Sequence, residues 1–385
     1  MLVLIPDATR TLPLPLLFHL LVDVLHDVGQ LDFLVALGTH QPLSEDALCQ
    51  LVGITPAERA GRYAHVGLYN HAWDDPAALA QVGALTHDQV KQLAGDHWHP
   101  SLSGDVPVRL NRRAVGCDQI LIVGPTFPHE IVGMSGGAKY LFPGISGPEV
   151  INATHWLGAL INVLHLIGYK SSPVRDIVHA AAALVPTPVT LTSLVTEHDG
   201  LAGVFVGDLY EAFSAAADLS AETHITWIDR PFQRVLSAPA VMYDELWTAA
   251  KAMYKLEPAV ADGGEIVIYA PHLDRVSLTH GRYIKAVGYH VLDYLFAHWD
   301  EVKDVPRGVL AHCTHLAGVG SYLDGQERRR IKVTLATQIS AEECAALNLG
   351  YCDPATIDLS AWQGREDEGI LYVPKAGEML YRVRG

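Results

Sequence analysis

Three short apolar runs in the first third of the chain each end in a polar cluster, and segments of helical periodicity separate them. Leu2-Val-Leu-Ile5 stops at Pro6 and delivers Asp7-Ala-Thr-Arg10. Leu14 to Val28 then repeats apolar residues at helical spacing. Phe33 to Leu37 delivers Thr39-His40-Gln41-Pro42 past Gly38, and Ser44 with Glu45 and Asp46 reads as the cap and acidic first turn of a helix through Leu51. Tyr69 to Pro76 is polar and aromatic, and its pattern predicts a hairpin or loop. Gln119 to Val123, the third run, delivers His129 and a glycine-rich loop. Apolar runs alternating with helices predict a parallel sheet that presents ligands at the carboxyl ends of its strands.

Near residue 222 the alternation restarts. Val235 to Pro239 leads into a predicted helix carrying Asp244, Thr248 and Lys251. Strands are predicted at Glu265–Tyr269, at Gly308–Ala311 ahead of His312-Cys-Thr-His315, and at Ile331–Ala336. Ile370–Val373 and Glu378–Tyr381 read as a terminal hairpin. The expectation is two α/β domains with parallel or mixed sheets, residues 1–222 and 223–385, and an active site in the cleft between them.

The glycine-rich loop runs from His129 to Gly147 and holds Gly133, Gly136, Gly137, Gly144 and Gly147, with Lys139 among them. Gly weakens regular structure, so a loop this rich in it is expected outside the core, where bare amides can approach an anion. Pro148-Glu149 then opens a helix carrying His155. Ala138 precedes Lys139 and Tyr140 follows it, which departs from the nucleotide P-loop, and no dinucleotide fingerprint is present. A tight structural turn with a solvated Lys139 is the competing reading.

Composition narrows the function. A formal charge of −16 argues against nucleic-acid binding but not against a small anion held in a cleft. Five scattered cysteines without a CxxC pair indicate a reducing compartment. The first residues lack a basic n-region, and no apolar stretch reaches the roughly 18 residues of a membrane span, so a cytoplasmic protein is expected. Twenty histidines raise the prospect of metal or proton chemistry.

The strand ends of the first half thus bring forward Asp7, Arg10, His40, His129 and Lys139, with His155 one helix turn further on. No Gly-x-Ser-x-Gly elbow supports acyl transfer. His40, His129 and His155 could bind zinc in a metal-dependent hydrolase, although their spacing is not that of a known zinc motif. A phosphate-binding protein without catalysis is the third possibility.

Asp-x-x-Arg after the first strand, Gly-x-His-x-Pro after the second, and His-x₃-Gly-x-Ser-Gly-Gly-x-Lys-x₃-Pro-Gly followed by Asn152-x-x-His155 closely resemble the lactate racemase (LarA) family. The resemblance implies racemisation or epimerisation of a 2-hydroxy acid with a nickel pincer nucleotide, a pyridinium mononucleotide with two sulfur donors and a nickel–carbon bond. It implies Lys139 as the covalent tether, His155 as the nickel ligand, and Ser135, Gly136 and Gly137 beside the cofactor phosphate. It further implies His40 and His129 as acid/base residues, Asp7 and Arg10 in support, and Arg10, Thr248 and Lys251 at the substrate. Cofactor-biosynthesis proteins would be partners. Thr248 stands where lactate racemases carry Gln, and no counterpart of their pocket Trp is expected in the second half. His272, His280, His312 and His315 are without an assigned role.

The physical requirement agrees with these residue types. The C2 hydrogen of a 2-hydroxy acid is hard to remove as a proton, whereas its removal as hydride passes through a planar 2-keto acid. The hydroxyl must lose its proton as hydride leaves, and imidazole titrates in the right range. The two enantiomers present that hydroxyl differently, which accounts for two bases, and a cation holds the carboxylate.

Overall fold

The computed structural model describes residues 1–197 and 200–384. Its first sheet contains β1 (Leu2–Ile5), β2 (Leu31–Val35), β3 (Val66–Asn70), β4 (Ile120–Pro125), β5 (Val189–Glu197) and β6 (Gly200–Gly207). Their order is β6-β5-β4-β1-β2-β3, parallel except for the β5–β6 pair. Every residue of β1 and β2 is buried, as expected of central parallel strands covered on both faces. Helix α1 (Leu14–Val24) ends earlier than its apolar pattern suggested. Helix α2 (Glu45–Val52) is capped by Ser44, whose side chain accepts from the Ala47 amide. The segment expected as hairpin or loop divides: its first residues belong to β3, paired parallel to β2 with Leu68 buried, and only the remainder is irregular.

A second sheet has β7 (Phe232–Pro239), β8 (Val260–Ala270), β9 (Lys332–Thr337), β10 (Gly350–Tyr351) and β11 (Ile370–Ala376) in the order β10-β9-β8-β7-β11, all parallel. The chain is therefore of the expected mixed α/β class.

Three expectations for this half fail. Gly308–Ala311 is not a strand but lies in helix α3 (Arg307–Ala317). Every residue from Gly308 to Ala317 is buried, so no polar face marked a period, and an apolar run of this kind does not distinguish strand from helix. The terminal segments are not a hairpin: β11 pairs with β7, and Leu380–Val383 pairs in parallel with Ile225–Ile228. Ile370–Ala376 takes an edge of the five-stranded sheet, with Ile370, Leu371 and Val373 buried, whereas Leu380–Val383 forms a two-stranded sheet with Ile225–Ile228, with Leu380 buried. The helix expected around Thr248 is two short ones, Leu246–Ala249 and Lys251–Tyr254, with Asp244 outside both.

The glycine-rich loop is also not where its composition put it. Nearly all residues from 131 to 147 are buried, and Met134, Ala138, Leu141, Phe142 and Ile145 belong to the largest apolar cluster. Its glycines permit close backbone contact inside the protein. Gly133, at φ +77°, lies so near the carbonyls of Leu166 and Tyr169 that a Cβ would sit 1.9 Å from the latter's oxygen. Among the described residues no helix is long and apolar enough to cross a membrane.

Candidate active site

One cavity collects the residues delivered by β1, β2 and β4. Asp7, Arg10, His40, His129, Ser135, Gly136, Lys139 and His155 line it, together with Trp247, Lys251, Tyr254, His312 and His315 from the second half. It encloses about 1020 Å³ of space, part of it open to solvent. Gly137 and Thr248 are not in its lining; the Thr248 hydroxyl donates to the Glu245 carbonyl at 3.0 Å.

Backbone bonds between strand ends hold the site. The Gly38 amide donates to the Gly144 carbonyl at 2.9 Å, tying the His40 loop to the glycine-rich loop. The Ser135 hydroxyl accepts from the Phe127 amide at 2.9 Å. Arg175, buried, donates to the carbonyls of Gly136 and Met134 and stands over the Phe213 ring at 4.1 Å. Helix α3 reaches the first half where the Gly308 amide donates to Asn152 Oδ1 at 2.9 Å, and this contact brings His312 and His315 toward His155.

Asp7 bonds His40 Nδ1, and its other oxygen accepts from the Thr9 amide and hydroxyl at 3.0 and 2.6 Å. Burial alone would raise the Asp7 carboxyl, but His40 and Arg10 outweigh it and hold the group well below the usual carboxylate range. An anion on Nδ1 keeps that proton in place and leaves Nε2 of His40 as the accepting nitrogen. Burial, followed by the charges of Lys139, Arg10, Lys251 and Lys255, holds His129 well below its ordinary pKa and hence neutral.

His155 bonds the Ile151 carbonyl through Nδ1 at 2.7 Å, so that nitrogen carries the proton and Nε2 keeps its lone pair. Burial lowers its pKa to about 4. A neutral imidazole with an oriented tautomer is the form that binds a transition metal. Burial and then the Arg10 charge lower Lys139 to about 8, which gives its amine appreciable nucleophilic character near neutral pH. Lys251 falls to about 7, chiefly through burial and Arg10, and its Nζ has no hydrogen-bond partner among the described residues. These features fit a cofactor that supplies most of the metal's ligands itself and takes one imidazole and one lysine from the protein. Among the described residues no three His, Cys, Asp or Glu side chains could together hold a metal ion, so the histidine triad of a hydrolase is not assembled.

Several lining residues went unpredicted. Trp247 does line the cavity, stacked on His312 with ring centroids 4.1 Å apart, whereas no pocket Trp was expected from the second half. It immediately precedes Thr248, so its position beside an expected substrate residue was the available signal. His280 packs on Trp247 at 4.4 Å, and His272 bonds the Tyr243 carbonyl at 3.0 Å; neither lines the cavity. Glu130 and Tyr254 do, and Arg175 supports the loop from behind, with no sequence motif to mark it.

The family profile for the lactate racemase N-terminal domain matches residues 1–93 and 100–164, which include every cavity residue of the first half. The chain is 24% identical over 276 residues to the lactate racemase of Lactiplantibacillus plantarum, covering 69% of this chain and 58% of that protein. It is 26% identical over 171 residues to the lactate racemase of Thermoanaerobacterium thermosaccharolyticum, covering 43% of this chain and 40% of that one. The matches thus span less than two thirds of the length of these relatives. A Thermotoga maritima protein of known crystal structure is 32% identical, with a TM-score of 0.91, over 100% of this chain and 93% of its own. The lactate racemase apoprotein from T. thermosaccharolyticum shares the fold at a TM-score of 0.73 and 19% identity, over 100% of this chain and 86% of its own. On the motifs, the profile and these relatives, the chain belongs to the lactate racemase (LarA) family.

Proposed function

We propose that this protein racemises or epimerises a 2-hydroxy acid at C2, with a nickel pincer nucleotide tethered to Lys139 and its nickel held by Nε2 of His155. The observation that carries the reading is the shared cavity. A lysine of depressed pKa, a metal-competent imidazole and two further histidines line one hollow together with cationic side chains. Bound there, the pincer would supply an electrophilic carbon able to take hydride from C2 and return it.

The protein's own groups would do the rest. Lys251, uncommitted and buried, and Arg10 would fix the substrate carboxylate, and this sets where C2 and its hydroxyl lie. His40 Nε2 would take the hydroxyl proton of one enantiomer, with Asp7 stabilising the imidazolium that results. His129 would serve the other enantiomer and return the proton when the hydroxyl is regenerated. Ser135 and Gly136 would lie beside the cofactor phosphate. Trp247 and Tyr254 would wall the cavity from the second half and limit water, which would otherwise compete for the bases. The two sheets would then represent two domains, residues 1–222 and 223–385, closing on the substrate between them.

Coexpression with the pathway that builds the pincer, then intact-mass and metal analysis, tests the assignment. The wild type should carry nickel and a covalent adduct that Lys139→Ala lacks. His40→Ala and His129→Ala should keep the adduct and lose racemisation of chiral 2-hydroxy acids. Zinc without nickel, or an adduct that survives Lys139→Ala, would reject the reading.

A further inference from the structure

The two histidines differ in which ring nitrogen the protein engages. Asp7 accepts a hydrogen bond from Nδ1–H of His40, so Nε2 is free to accept. At His129 the same nitrogen is an acceptor, because the Ile131 amide donates to Nδ1 at 3.1 Å. A neutral ring with an accepting Nδ1 carries its proton on Nε2. It can donate there, but it has no lone pair at Nε2 to receive a hydroxyl proton. For His129 to work as a base at Nε2, its own proton must move to Nδ1, where the Ile131 amide offers only another donor. An acceptor is close by: Glu130 Oε2 lies 3.5 Å from His129 Nδ1. Both side chains are largely buried, and no other side chain hydrogen-bonds the Glu130 carboxylate among the described residues.

We propose that Glu130 is the positioning carboxylate of His129, the counterpart of Asp7 on His40, and accepts a hydrogen bond from Nδ1–H whenever His129 exchanges a proton at Nε2. The proposal rests on the two-base reading above. When the substrate hydroxyl gives its proton to Nε2, the ring already bearing Nδ1–H becomes an imidazolium facing the carboxylate. In the return step the Nε2 proton goes back to the C2 oxygen, and the neutral ring keeps its Nδ1–H on Glu130. Glu130 itself gains no proton.

The electrostatics of the cavity make such a partner necessary. Lys139 on the glycine-rich loop, Arg10 after β1, and Lys251 and Lys255 from the second half all oppose a positive charge on His129, as does burial. Burial would raise the Glu130 carboxyl, but Lys251 and its own backbone amide, with His315 and Lys139, outweigh it and keep the group ionised. Glu130 lines both the main cavity and the smaller hollow beside it that Tyr243, Lys255 and Glu378 border, as His129 and Lys251 also do.

Glu130→Gln preserves volume and removes the anion. In apo protein labelled with nitrogen-15 histidine, the ring shifts of His129 report its tautomer and its titration, assigned by their loss in His129→Ala. Glu130→Gln should lower the His129 pKa further and weaken the tautomer with the proton on Nδ1. The loaded variant should keep the pincer mass adduct yet lose about a hundredfold in kcat/KM, the low end of what one acid/base group contributes. Both enantiomers must lose equally, because the equilibrium constant between them is one. Glu130→Asp should restore part of the loss. Unchanged His129 shifts and an unchanged pH profile in Glu130→Gln would overturn the pairing, whatever the turnover. A normal Glu130–His129 coupling in a loaded wild type that racemises no 2-hydroxy acid would instead reject the reaction assigned above, and Glu130's catalytic duty with it.

Discussion

Gly133→Ala isolates what the glycines of the central loop are for. Gly133 adopts φ +77°, and its carbonyl accepts from the Gly168 amide at 2.8 Å, so two backbone segments are bonded at close range. A Cβ would stand 1.9 Å from the Tyr169 carbonyl oxygen and 2.9 Å from that of Leu166, and neither is the end of a flexible side chain. The left-handed conformation costs an alanine about 1–2 kcal/mol. Forcing a methyl into packed structure costs roughly 1–3 kcal/mol more. The stiffer unfolded chain offsets about 0.4–1 kcal/mol. A net destabilisation of about 3 kcal/mol follows from these three contributions. Gly325→Ala is the control, since Gly325 has φ +76° and nothing within 4 Å of the added carbon. There only the conformational cost remains, about 1 kcal/mol or less after the same offset. Urea unfolding of both variants, followed by tryptophan fluorescence and compared at equal slope, reads the difference. Equal losses for the two variants would refute the argument that close backbone approach, rather than turn geometry alone, demands glycine at position 133.

Two further predictions concern the cavity lysines. Lys251 titrates near 7 in the free protein, so its charge is present below that pH and is lost above it. The kcat/KM of the loaded enzyme should therefore show an alkaline limb near pH 7, which Lys251→Met abolishes at a uniformly low rate; a profile without that limb would show that Lys251 does not meet the substrate anion. Lys139, lowered to about 8, should react with a limiting amount of a small acylating reagent with a midpoint near pH 8, far below the value of about 10.4 for an ordinary lysine. Peptide mass mapping measures this, and labelling of Lys139 no faster than of exposed lysines would contradict the depressed pKa.

The sequence by itself determined the local matters. Short apolar runs stopped at Pro6, Gly38 and Gly124 predicted buried strands that hand polar residues to one end of a sheet, and β1, β2 and β4 overlap those runs, β2 lying two residues earlier than expected. The cap at Ser44 and the helix opening at Pro148 were legible for the same reason, because capping and proline geometry involve neighbours in the chain. The motif residues Asp7, Arg10, His40, His129, Lys139 and His155 could be picked out together, and they share one cavity.

Tertiary structure decided whatever depended on distant partners. Helix α3 showed no period because both of its faces are covered, and the terminal strands pair with β7 and with Ile225–Ile228, partners more than a hundred residues away in the chain, rather than with each other. Composition placed the glycine-rich loop outside the core, but packing against Leu166, Tyr169, Phe213 and Arg175 put it inside. Trp247 reached the cavity only when the two halves met, and Arg175 reached the loop through tertiary contacts within the first half, with Gly136, Met134 and Phe213. Which nitrogen of each histidine holds a proton was likewise settled by contacts: Asp7 is 33 residues from His40 in the chain, whereas the Ile131 amide at His129 is a neighbour whose direction the folded loop sets. Periodicity and turn chemistry act over a few residues, while burial, charge and tautomer depend on side chains that only the fold brings together.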